Sequence, residues 1–497
     1  MRENELNTFF MAENEIANLE PQNVWHHFYE LTQIPRPTGH MKEVTKFLMN
    51  FGKSLDLETF QDRAGNVLIR KPASKGFEGK QTVILQAHLD MVPQKNSDTI
   101  HDFIKDPIDA YIDGDKVRAR STTLGADNGI GVAMIMAVLE DKLLQHPPIE
   151  ALFTVDEEGG MNGALSLKKG LFRGTLMLNL DSEQEGELCV GCAGGADVNA
   201  TIQYKDDTEI ATGDVAFRVN LKGLKGGHSG VQIHLGRANA IKLINRFLKD
   251  AVRNYEARLS SIQGGSLRNA IPREAFAVIT IPEQLSEDLI DLVKEYEDLF
   301  NEEYRGIEDG IIFEAEKVKL PKSLIPVEIQ DDIVNAIEGC PNGVISMLAD
   351  FPGVVESSVN LAVVTSSKGK IEVKLMVRSS SESRKEWVCS SVESVFLLAG
   401  AKVEINGDYP GWQPDIDSEL LHTMEKVYFE KYERRPIVSV IHAGLECGII
   451  QSNIGHKVDI VSFGPTITGA HSPDESVEIE SVGKTYDYLI SALEQIG

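Results

Sequence analysis

Two histidines and three carboxylates of this chain stand at the ends of apolar segments. The set consists of His88, Asp127, Glu158, Asp181 and His471. Imidazole nitrogens and carboxylate oxygens are good ligands for borderline-soft divalent ions, zinc first, with cobalt or manganese as substitutes. The set therefore predicts a site for two metal ions.

Asp127 is the candidate for a ligand shared by both ions. It precedes a nearly all-apolar segment that predicts a buried helix with Asp127 at its N-terminus. A carboxylate in that position can bridge two metals about 3.5–4 Å apart. We expect His88 and Asp181 to bind one ion. His471 and Glu158 would bind the other, which leaves room for a shared water.

Two further carboxylates lie next to these ligands. Asp90 follows His88 by two residues, where it can accept a hydrogen bond that fixes the imidazole tautomer. Glu157 precedes Glu158 and can take the proton of the bridging water, then return it to a leaving amine. The acidic run over residues 156–158 could by itself be a solvated turn, and Asp156 has no assigned role. Together, the ligands and these two carboxylates predict an enzyme that uses a metal-bound water for hydrolysis.

The elements that must position these residues alternate between strands and helices. Apolar residues recur at helical spacing over residues 24–31 and 41–55. Strand patterns cover residues 66–70, 82–87, 150–155, 175–180 and 458–463. Because these strands end in polar residues, the pattern predicts an α/β fold. We expect a mixed, mostly parallel sheet flanked by helices, with the ligands gathered at its carboxyl edge.

The pattern changes between about residues 187 and 408. Strands that alternate on one face combine with helices over residues 239–247 and 287–304, in the order of a ferredoxin-like unit. A second, degenerate copy follows, from a helix near Ile333 to a strand ending at Ile405. The prediction is an inserted α+β lid domain of two tandem ferredoxin-like halves, with hinges near residues 191–195 and 409–411.

The predicted domain organisation has four segments. They are a flexible N-terminal tail (1–20), the first part of the catalytic domain (21–186), the lid domain (187–408) and the second part of the catalytic domain (409–497).

Composition excludes several classes of protein. A net charge of −27, from 76 acidic and 49 basic residues, argues against a nucleic-acid partner. The five cysteines are an odd number and form no dense framework, so reduced thiols are expected. No uninterrupted apolar run of about 18 residues is present, as a membrane-spanning helix would need. We expect a cytoplasmic protein with no membrane partner.

Seven motifs resemble one family of enzymes. They are QAHLDMVP (86–93), LGADNGIG (124–131), DEEGG (156–160), DSE (181–183), GGHSG (226–230), LRNAIP (267–272) and the loop over residues 464–475. From about Pro21 onward the chain resembles the di-zinc metallopeptidases that include carnosinases, aminoacylases and glutamate carboxypeptidases. The resemblance implies the ligand roles given above, catalytic roles for Asp90 and Glu157, and a cis peptide bond after Asp127.

The resemblance also implies a substrate class. The expected reaction is hydrolysis of unblocked dipeptides, preferentially Xaa-His dipeptides such as β-Ala-His. An aminoacylase, a tripeptidase or a dipeptidase of broad specificity is the alternative within the family. A metal-binding scaffold without catalysis is the alternative from another class, and the intact Glu157 argues against it. A homodimer is expected by similarity, although a doubled lid could permit a monomer.

Residues of the lid acquire roles only through this resemblance. His228 would stabilise the oxyanion formed at the scissile carbonyl. Asn269 would bind polar groups of the substrate, and Arg378 would pair with the substrate's terminal carboxylate, with Arg384 or another basic residue as the alternative. His442 and Glu446, four residues apart, form a rival metal pair, but a substrate-binding or structural role is favoured for Glu446.

Overall fold

The computed structural model describes residues 15–496, which form two compact units. The first unit contains the residues up to Gly191, Pro414–Val440 and the residues from Glu446 onward. The second unit contains Cys192–Gln413 and Ile441–Leu445. The long insertion therefore begins and ends about five residues later than the predicted lid domain. The return of the chain to the second unit at Ile441 has no counterpart in the sequence prediction.

The N-terminal boundary needs a correction. Residues 1–14 of the predicted flexible tail lie outside the described residues. Glu15–Asn18, however, form a turn of 3₁₀-helix in which Ile16 is only 1% exposed. Trp25, in the helix that follows, donates a hydrogen bond from Nε1 to the carbonyl of Glu20. Because an apolar side chain is buried here, residues 15–20 belong to the folded unit.

The helices of the described residues are α1 (Gln22–Thr32), α2 (Lys42–Ser54), α3 (Ala126–Glu140), α4 (Asn162–Leu165), α5 (Ala240–Asn254), α6 (Ser286–Glu303), α7 (Val327–Gly339), α8 (Glu382–Leu398), α9 (Glu419–Tyr432), α10 (Glu446–Ile454) and α11 (Ile479–Gln495). The strands are β1 (Glu58–Gln61), β2 (Val67–Lys71), β3 (Val83–His88), β4 (Ala110–Asp113), β5 (Lys116–Ala119), β6 (Ile149–Thr154), β7 (Leu176–Asn179), β8 (Glu187–Cys192), β9 (Gly194–Gln203), β10 (Asp214–Lys222), β11 (Gly227–His228), β12 (Arg258–Gly264), β13 (Ala270–Ile271), β14 (Ala275–Pro282), β15 (Ile312–Val318), β16 (Gly343–Met347), β17 (Val355–Ser367), β18 (Lys370–Ser379), β19 (Lys402–Tyr409), β20 (Ile437–Ile441), β21 (Asp459–Ser462), β22 (Ile467–Thr468) and β23 (Ser476–Glu478).

The main sheet of the first unit has the strand order β1-β2-β6-β3-β7-β21-β8-β20. Its centre, β6-β3-β7-β21, is parallel, whereas β1, β2 and β8 pair antiparallel with their neighbours. All residues of β3 and β6 are buried, as expected for parallel strands covered on both faces. The register sets His88 opposite Thr154, so the carboxyl ends of these strands are adjacent. The predicted mixed α/β sheet is confirmed, but only its four central strands are parallel, so the expectation of a mostly parallel sheet was too strong.

Helix α3 is buried along nearly its whole length. Of its residues only Asp127 and Glu140, near its two ends, are not fully buried. The apolar sequence over residues 129–139 explains this, because no polar face is available for solvent. The helix consequently holds Asp127 at the end that begins next to the carboxyl edge of the sheet, where His88 is the last residue of β3.

The second unit contains a sheet whose main path is β15-β10-β14-β12-β17-β18-β9-β19, with β16 added at β17. One half consists of β10, α5, β12, β14, α6 and β15, and the other of β9, α7, β17, β18, α8 and β19. The four strands of each half can be numbered in the order just given. They then lie side by side in the order 4-1-3-2, which is the ferredoxin-like arrangement. Pairing of β12 with β17 at Gly264 and Val364 joins the halves into one sheet.

The halves are nested and not in tandem, which corrects the sequence prediction. Strand β9, the first strand of the second half, precedes the whole of the first half in the chain. The prediction placed a hinge near residues 191–195, a range that includes Gly194 and Gly195. Both glycines lie within β9, and a Cβ at Gly195 would lie 2.6 Å from the ring of Tyr409 on β19. The glycines therefore permit a close approach inside the sheet.

The core of the second unit lies between this sheet and its helices. Buried side chains of the strands, such as Val219 and Val359, belong to one apolar cluster with Phe247 of α5 and Phe396 of α8. Among the described residues, the structure contains no helix that is both long and apolar enough to span a membrane.

Candidate metal centre

The first group of predicted ligands meets at the carboxyl edge of the first unit's sheet. His88 is the last residue of β3, Asp181 follows β7, and Asp127 lies in the first turn of α3. Nε2 of His88 is 3.0 Å from Oδ1 of Asp127 and 3.2 Å from Oδ1 of Asp181. The parallel pairing of β3 and β7 brings two of these residues together.

The second group uses the other oxygen of the same aspartate. Oδ2 of Asp127 is 3.2 Å from Nε2 of His471, which in turn is 2.6 Å from Oε1 of Glu158. Glu158 follows β6, and His471 lies in the loop between β22 and β23 with φ of 61°. Asp127 thus belongs to both groups, one through each carboxylate oxygen.

The donor sets fit two divalent metal ions. Within each group of three, the potential ligand atoms lie no more than 4.8 Å from one another. Each group offers one imidazole nitrogen and two carboxylates, a combination that suits zinc and similar ions. Nδ1 of His88 points to Oδ1 of Asp90 at 3.6 Å, so Nε2 is the nitrogen turned toward the ligand group. We conclude that the five predicted ligands could together hold a metal pair.

Asp90 is a fully buried carboxylate that connects two ligand segments. Its Oδ1 accepts a hydrogen bond from the backbone N–H of Glu157 (3.0 Å), and its Oδ2 accepts one from that of Glu158 (3.2 Å). Thr38 donates its hydroxyl to the same Oδ2. Burial opposes ionisation of Asp90, but the neighbouring imidazole of His88 and the hydrogen bond from the backbone of Glu157 hold its pKa below the ordinary value.

Glu157 lies close to both ligand groups. A carboxylate oxygen of Glu157, a ring nitrogen of His88 and a carboxylate oxygen of Glu158 lie within 4.8 Å of one another. Burial raises the pKa of Glu157 well above its ordinary value, and the nearby carboxylates of Asp181 and Glu446 raise it further against the opposing effect of His88. A carboxyl group in this environment is suited to proton transfer near neutral pH.

The rival pair of His442 and Glu446 does not form a metal site. Nε2 of His442 is 2.7 Å from the hydroxyl of Ser358, whereas Oε2 of Glu446 accepts hydrogen bonds from Gln86 (2.8 Å) and Thr154 (2.5 Å). In the part of the chain that the structure describes, no group of metal-ligating side chains includes either residue.

Glu446 also has no access to a substrate. Its side chain is 0% exposed, and burial raises its pKa to about 8. The two groups that donate hydrogen bonds to Glu446, the amide of Gln86 and the hydroxyl of Thr154, are both neutral. These facts argue against the substrate-binding role predicted for Glu446 and favour a structural role beneath the carboxyl edge of the sheet.

His228 of the second unit has a defined tautomer. Its Nδ1 accepts hydrogen bonds from the backbone N–H of Gly230 (3.1 Å) and of Val231 (3.2 Å). A nitrogen that accepts from N–H groups carries no proton, so in the neutral ring the proton is on Nε2. Burial, together with the charge of Arg378, lowers the pKa of His228. The side chain is therefore a neutral hydrogen-bond donor through Nε2.

Asn269 lies beside this histidine. Strand β11 pairs with β13 so that His228 is opposite Ala270, and the carbonyl of Asn269 accepts a hydrogen bond from the backbone of Ser229. The side chain of Asn269 is exposed. The structure thus brings two of the residues predicted to contact substrate into one part of the second unit.

Arg378 and its alternative differ in their surroundings. Arg378 is only 5% exposed, donates from Nη1 to the hydroxyl of Tyr409 (2.9 Å), and has no described carboxylate within ion-pair distance. The side chain of Arg384 is 54% exposed and lies 3.4 Å from a carboxylate oxygen of Glu356. A buried guanidinium with only a neutral partner is the better candidate to receive a substrate carboxylate.

Sequence reasoning missed three buried side chains around the ligands. Asn128 donates to the carbonyl of Leu180, the residue before Asp181, and Arg36 and Glu475 bond to the backbone around Asp127. Asn128 and Glu475 lie within two of the seven motifs, but sequence alone does not show that these side chains are buried and bonded to backbone groups. The cis peptide bond expected after Asp127 is present, between Asp127 and Asn128.

The α/β sheet and the paired ligand groups are features of a metallopeptidase. The family model for peptidase family M20/M25/M40 matches residues 84–495, and the chain belongs to this family.

Two relatives resemble nearly the whole chain. The cytosol non-specific dipeptidase of Escherichia coli is 44% identical over 483 residues, which cover 97% of this chain and 99% of that protein. The crystal structure of aminoacylhistidine dipeptidase from Vibrio alginolyticus is also 44% identical, with a TM-score of 0.92 and coverage of 98% and 99%. Aminopeptidase PepT from Bacillus cereus, 18% identical with a TM-score of 0.57 over 96% and 99% of the chains, shares the fold.

Proposed function

We propose that this protein is a metallo-dipeptidase that hydrolyses unblocked dipeptides, with a preference for Xaa-His dipeptides such as β-Ala-His. The observation that carries the proposal is the position of Asp127, whose two oxygens face His88 and His471 in separate three-ligand groups. The similarity to two dipeptidases over almost the full length supports it.

The proposed cofactor is a pair of zinc ions, for which cobalt or manganese could substitute. His88, Asp127 and Asp181 would hold one ion, and Asp127, Glu158 and His471 the other. When bound, such a pair supplies Lewis acidity that polarises a peptide carbonyl and lowers the pKa of water. Asp90 would orient His88 through Nδ1, at the observed distance of 3.6 Å.

Glu157 is proposed to move the proton. It would accept a proton from the attacking water and deliver it to the nitrogen of the departing amine, so that one carboxyl group serves first as base and then as acid. His228 would donate its Nε2 hydrogen to the oxyanion of the tetrahedral intermediate. The neutral Nε2–H tautomer of His228 supports this assignment.

Substrate length would be set by residues of the second unit. Arg378 is proposed to pair with the terminal carboxylate of the dipeptide, and Asn269 to bind its polar groups. The buried guanidinium of Arg378 without a carboxylate partner supports the first assignment.

A dipeptidase of broad specificity is the second candidate. The relative from Escherichia coli is named a cytosol non-specific dipeptidase, whereas the solved relative is named an aminoacylhistidine dipeptidase. The two names differ in the range of substrates that they indicate for those relatives. Aminoacylase and tripeptidase activities remain alternatives of the same chemistry.

A substrate panel separates these candidates. Purified protein would be loaded in turn with zinc, cobalt and manganese and assayed on Xaa-His dipeptides, other dipeptides, tripeptides and N-acetylated amino acids. We expect the highest kcat/KM on Xaa-His dipeptides. Similar values for all dipeptides would favour the second candidate, and activity confined to tripeptides or acetylated amino acids would overturn the proposal.

We also propose a cytoplasmic enzyme without nucleic-acid or membrane partners. A homodimer is the proposed oligomeric state, which sedimentation of the purified protein would test.

A further inference from the structure

The carboxylate of Glu475 binds the backbone that carries Asp127. Oε2 accepts hydrogen bonds from the N–H groups of Leu124 (2.7 Å) and Gly125 (3.0 Å). Oε1 accepts from those of Ala126 (2.7 Å) and Asp127 (3.2 Å). Glu475 is only 2% exposed, and each of its oxygens is used by two donors. This side chain therefore has no role at the surface and serves the turn over residues 124–127.

The guanidinium of Arg36 donates a hydrogen bond to a carbonyl group of the same turn. Nη2 donates to the carbonyl of Gly125, and Nη1 donates to that of Leu89 (3.0 Å) and, more weakly, of Asp90 (3.4 Å). Gly125 has φ of 72°, and a Cβ there would lie 2.6 Å from Nη2 of Arg36. Glycine is thus required both by the backbone conformation and by the close approach of the guanidinium.

The two side chains connect three segments that carry predicted ligands. Arg36 ties the segment after His88 to the turn before Asp127, and Glu475 ties that turn to the loop that begins at His471. We infer that Glu475 is a positioning residue that orients Asp127 toward both ligand groups, and that Arg36 supports it by binding a carbonyl group of the same turn. This inference rests on the proposed metal centre.

The geometry requires a carboxylate and not merely a polar group. Glutamine has one acceptor oxygen, and its amide would face two backbone N–H donors, so two of the four hydrogen bonds would be lost. The turn would then relax away from the position that aims Asp127 at His88 and His471. Loss of a group that orients a ligand typically weakens metal affinity by about 10- to 100-fold.

The test is the metal affinity of Glu475→Gln, measured by competition with a chromophoric chelator for Zn²⁺ and by the visible spectrum of bound Co²⁺. We expect the Kd of at least one ion to rise about 10- to 100-fold and the cobalt absorption to change. The matched control is Glu480→Gln, whose side chain is 82% exposed and lies 2.8 Å from Nζ of Lys484. Its affinity and spectrum should equal those of the wild type.

The outcomes distinguish the inference from the proposed function. If the wild type binds no divalent metal, the proposed function fails. If it binds two ions and Glu475→Gln binds them with the same Kd and spectrum, only the inference fails, even when the thermal stability of the variant is lower. Should Glu475→Gln not fold, Glu475→Asp carries the test. It keeps the charge but is too short to reach all four donors, and a wild-type Kd there would equally overturn the inference.

Discussion

Oδ1 of Asp90 accepts a hydrogen bond of 3.0 Å from the backbone N–H of Glu157. The residue that faces Nδ1 of His88 thus also fixes the peptide group of the proposed proton-transfer residue. One buried carboxylate couples the orientation of a predicted ligand to the position of the predicted base.

Replacement of Asp90 by asparagine tests this coupling. The amide has one acceptor oxygen, so the backbone N–H of Glu157 or of Glu158 would lose its partner. We expect kcat/KM to fall and metal affinity to weaken, each by about 10- to 100-fold. Steady-state kinetics and chelator competition measure the two effects. Values within twofold of the wild type would contradict the coupling.

Glu157→Gln should separate metal binding from catalysis. The variant keeps the shape of the side chain but cannot accept the proton of water, so turnover should fall by at least about 10²-fold while metal content is unchanged. Metal analysis and single-turnover assays provide the measurement. Asp127→Ala should instead lose metal, because both ligand groups include Asp127. Retained activity in Glu157→Gln would disprove its role in proton transfer.

The tautomer of His228 is directly observable. Because Nδ1 accepts from the backbone of Gly230 and Val231, we expect ¹⁵N spectra of the labelled protein at neutral pH to show the proton on Nε2. His228→Ala identifies the signal. Detection of the Nδ1–H tautomer in the native protein would refute the arrangement and weaken the assignment of an oxyanion donor.

Gly230→Ala offers a steric test of the same loop. A Cβ at this position would lie 2.2 Å from the carbonyl oxygen of His442 and 3.0 Å from the ring of His228. We expect the loop to shift and kcat to fall at least about tenfold, the typical scale for a displaced hydrogen-bond donor, with no change in metal affinity. Unchanged kcat would show that the position of His228 is not critical. Gly79→Ala, at an open site with an ordinary backbone conformation, is a control for the loss of a glycine.

His442 should make folding stability depend on pH. Burial, aided by the charge of Arg378 and by the neighbouring His228 and His234, lowers the pKa of His442 to about 3. Below its ordinary pKa of about 6.5 the unfolded chain binds a proton that the folded chain does not, so the free energy of unfolding falls as pH falls from about 6.5 toward 3. The contribution is about 1.4 kcal/mol per pH unit within that window.

Urea unfolding at pH 7 and pH 5 measures this contribution. His442→Gln should show a smaller decrease in unfolding free energy between the two pH values than the wild type, by about 2 kcal/mol. The comparison cancels the titration of other groups. Equal decreases in the two proteins would show that His442 does not cause the acid sensitivity.

Arg378→Lys tests recognition of the substrate carboxylate. Lysine keeps the charge but lacks the two-pronged donor geometry, so KM for dipeptides should rise about tenfold or more, the scale of one charge-assisted hydrogen bond. Dipeptides amidated at the C-terminus should be poor substrates for the wild type, and their KM should change little in the variant. An unchanged KM would show that another residue binds the substrate carboxylate.

Sequence alone predicted the main elements and the candidate ligands. Strand β3 is apolar except for Gln86 before it ends in His88, and acidic segments follow β6 and β7, so local patterns predicted the convergence of these residues. Parallel strands present their carboxyl ends at one edge of a sheet, and this rule predicted that the residues at these strand ends lie close together. Asp127, Glu158, Asp181 and His471 could therefore be named without coordinates.

The tertiary structure decided what depends on contacts between distant residues. The nested order of the two halves was hidden because β9 contains glycines that are compatible with either a turn or a close-packed strand. The carboxylates of Glu475 and Glu446 bind partners that are far away in the sequence. Glu475 is 350 residues from Gly125, and Glu446 is 360 residues from Gln86. Whether such a carboxylate is solvated, buried or bonded to backbone depends on its surroundings in space, and those surroundings exist only once the chain has folded.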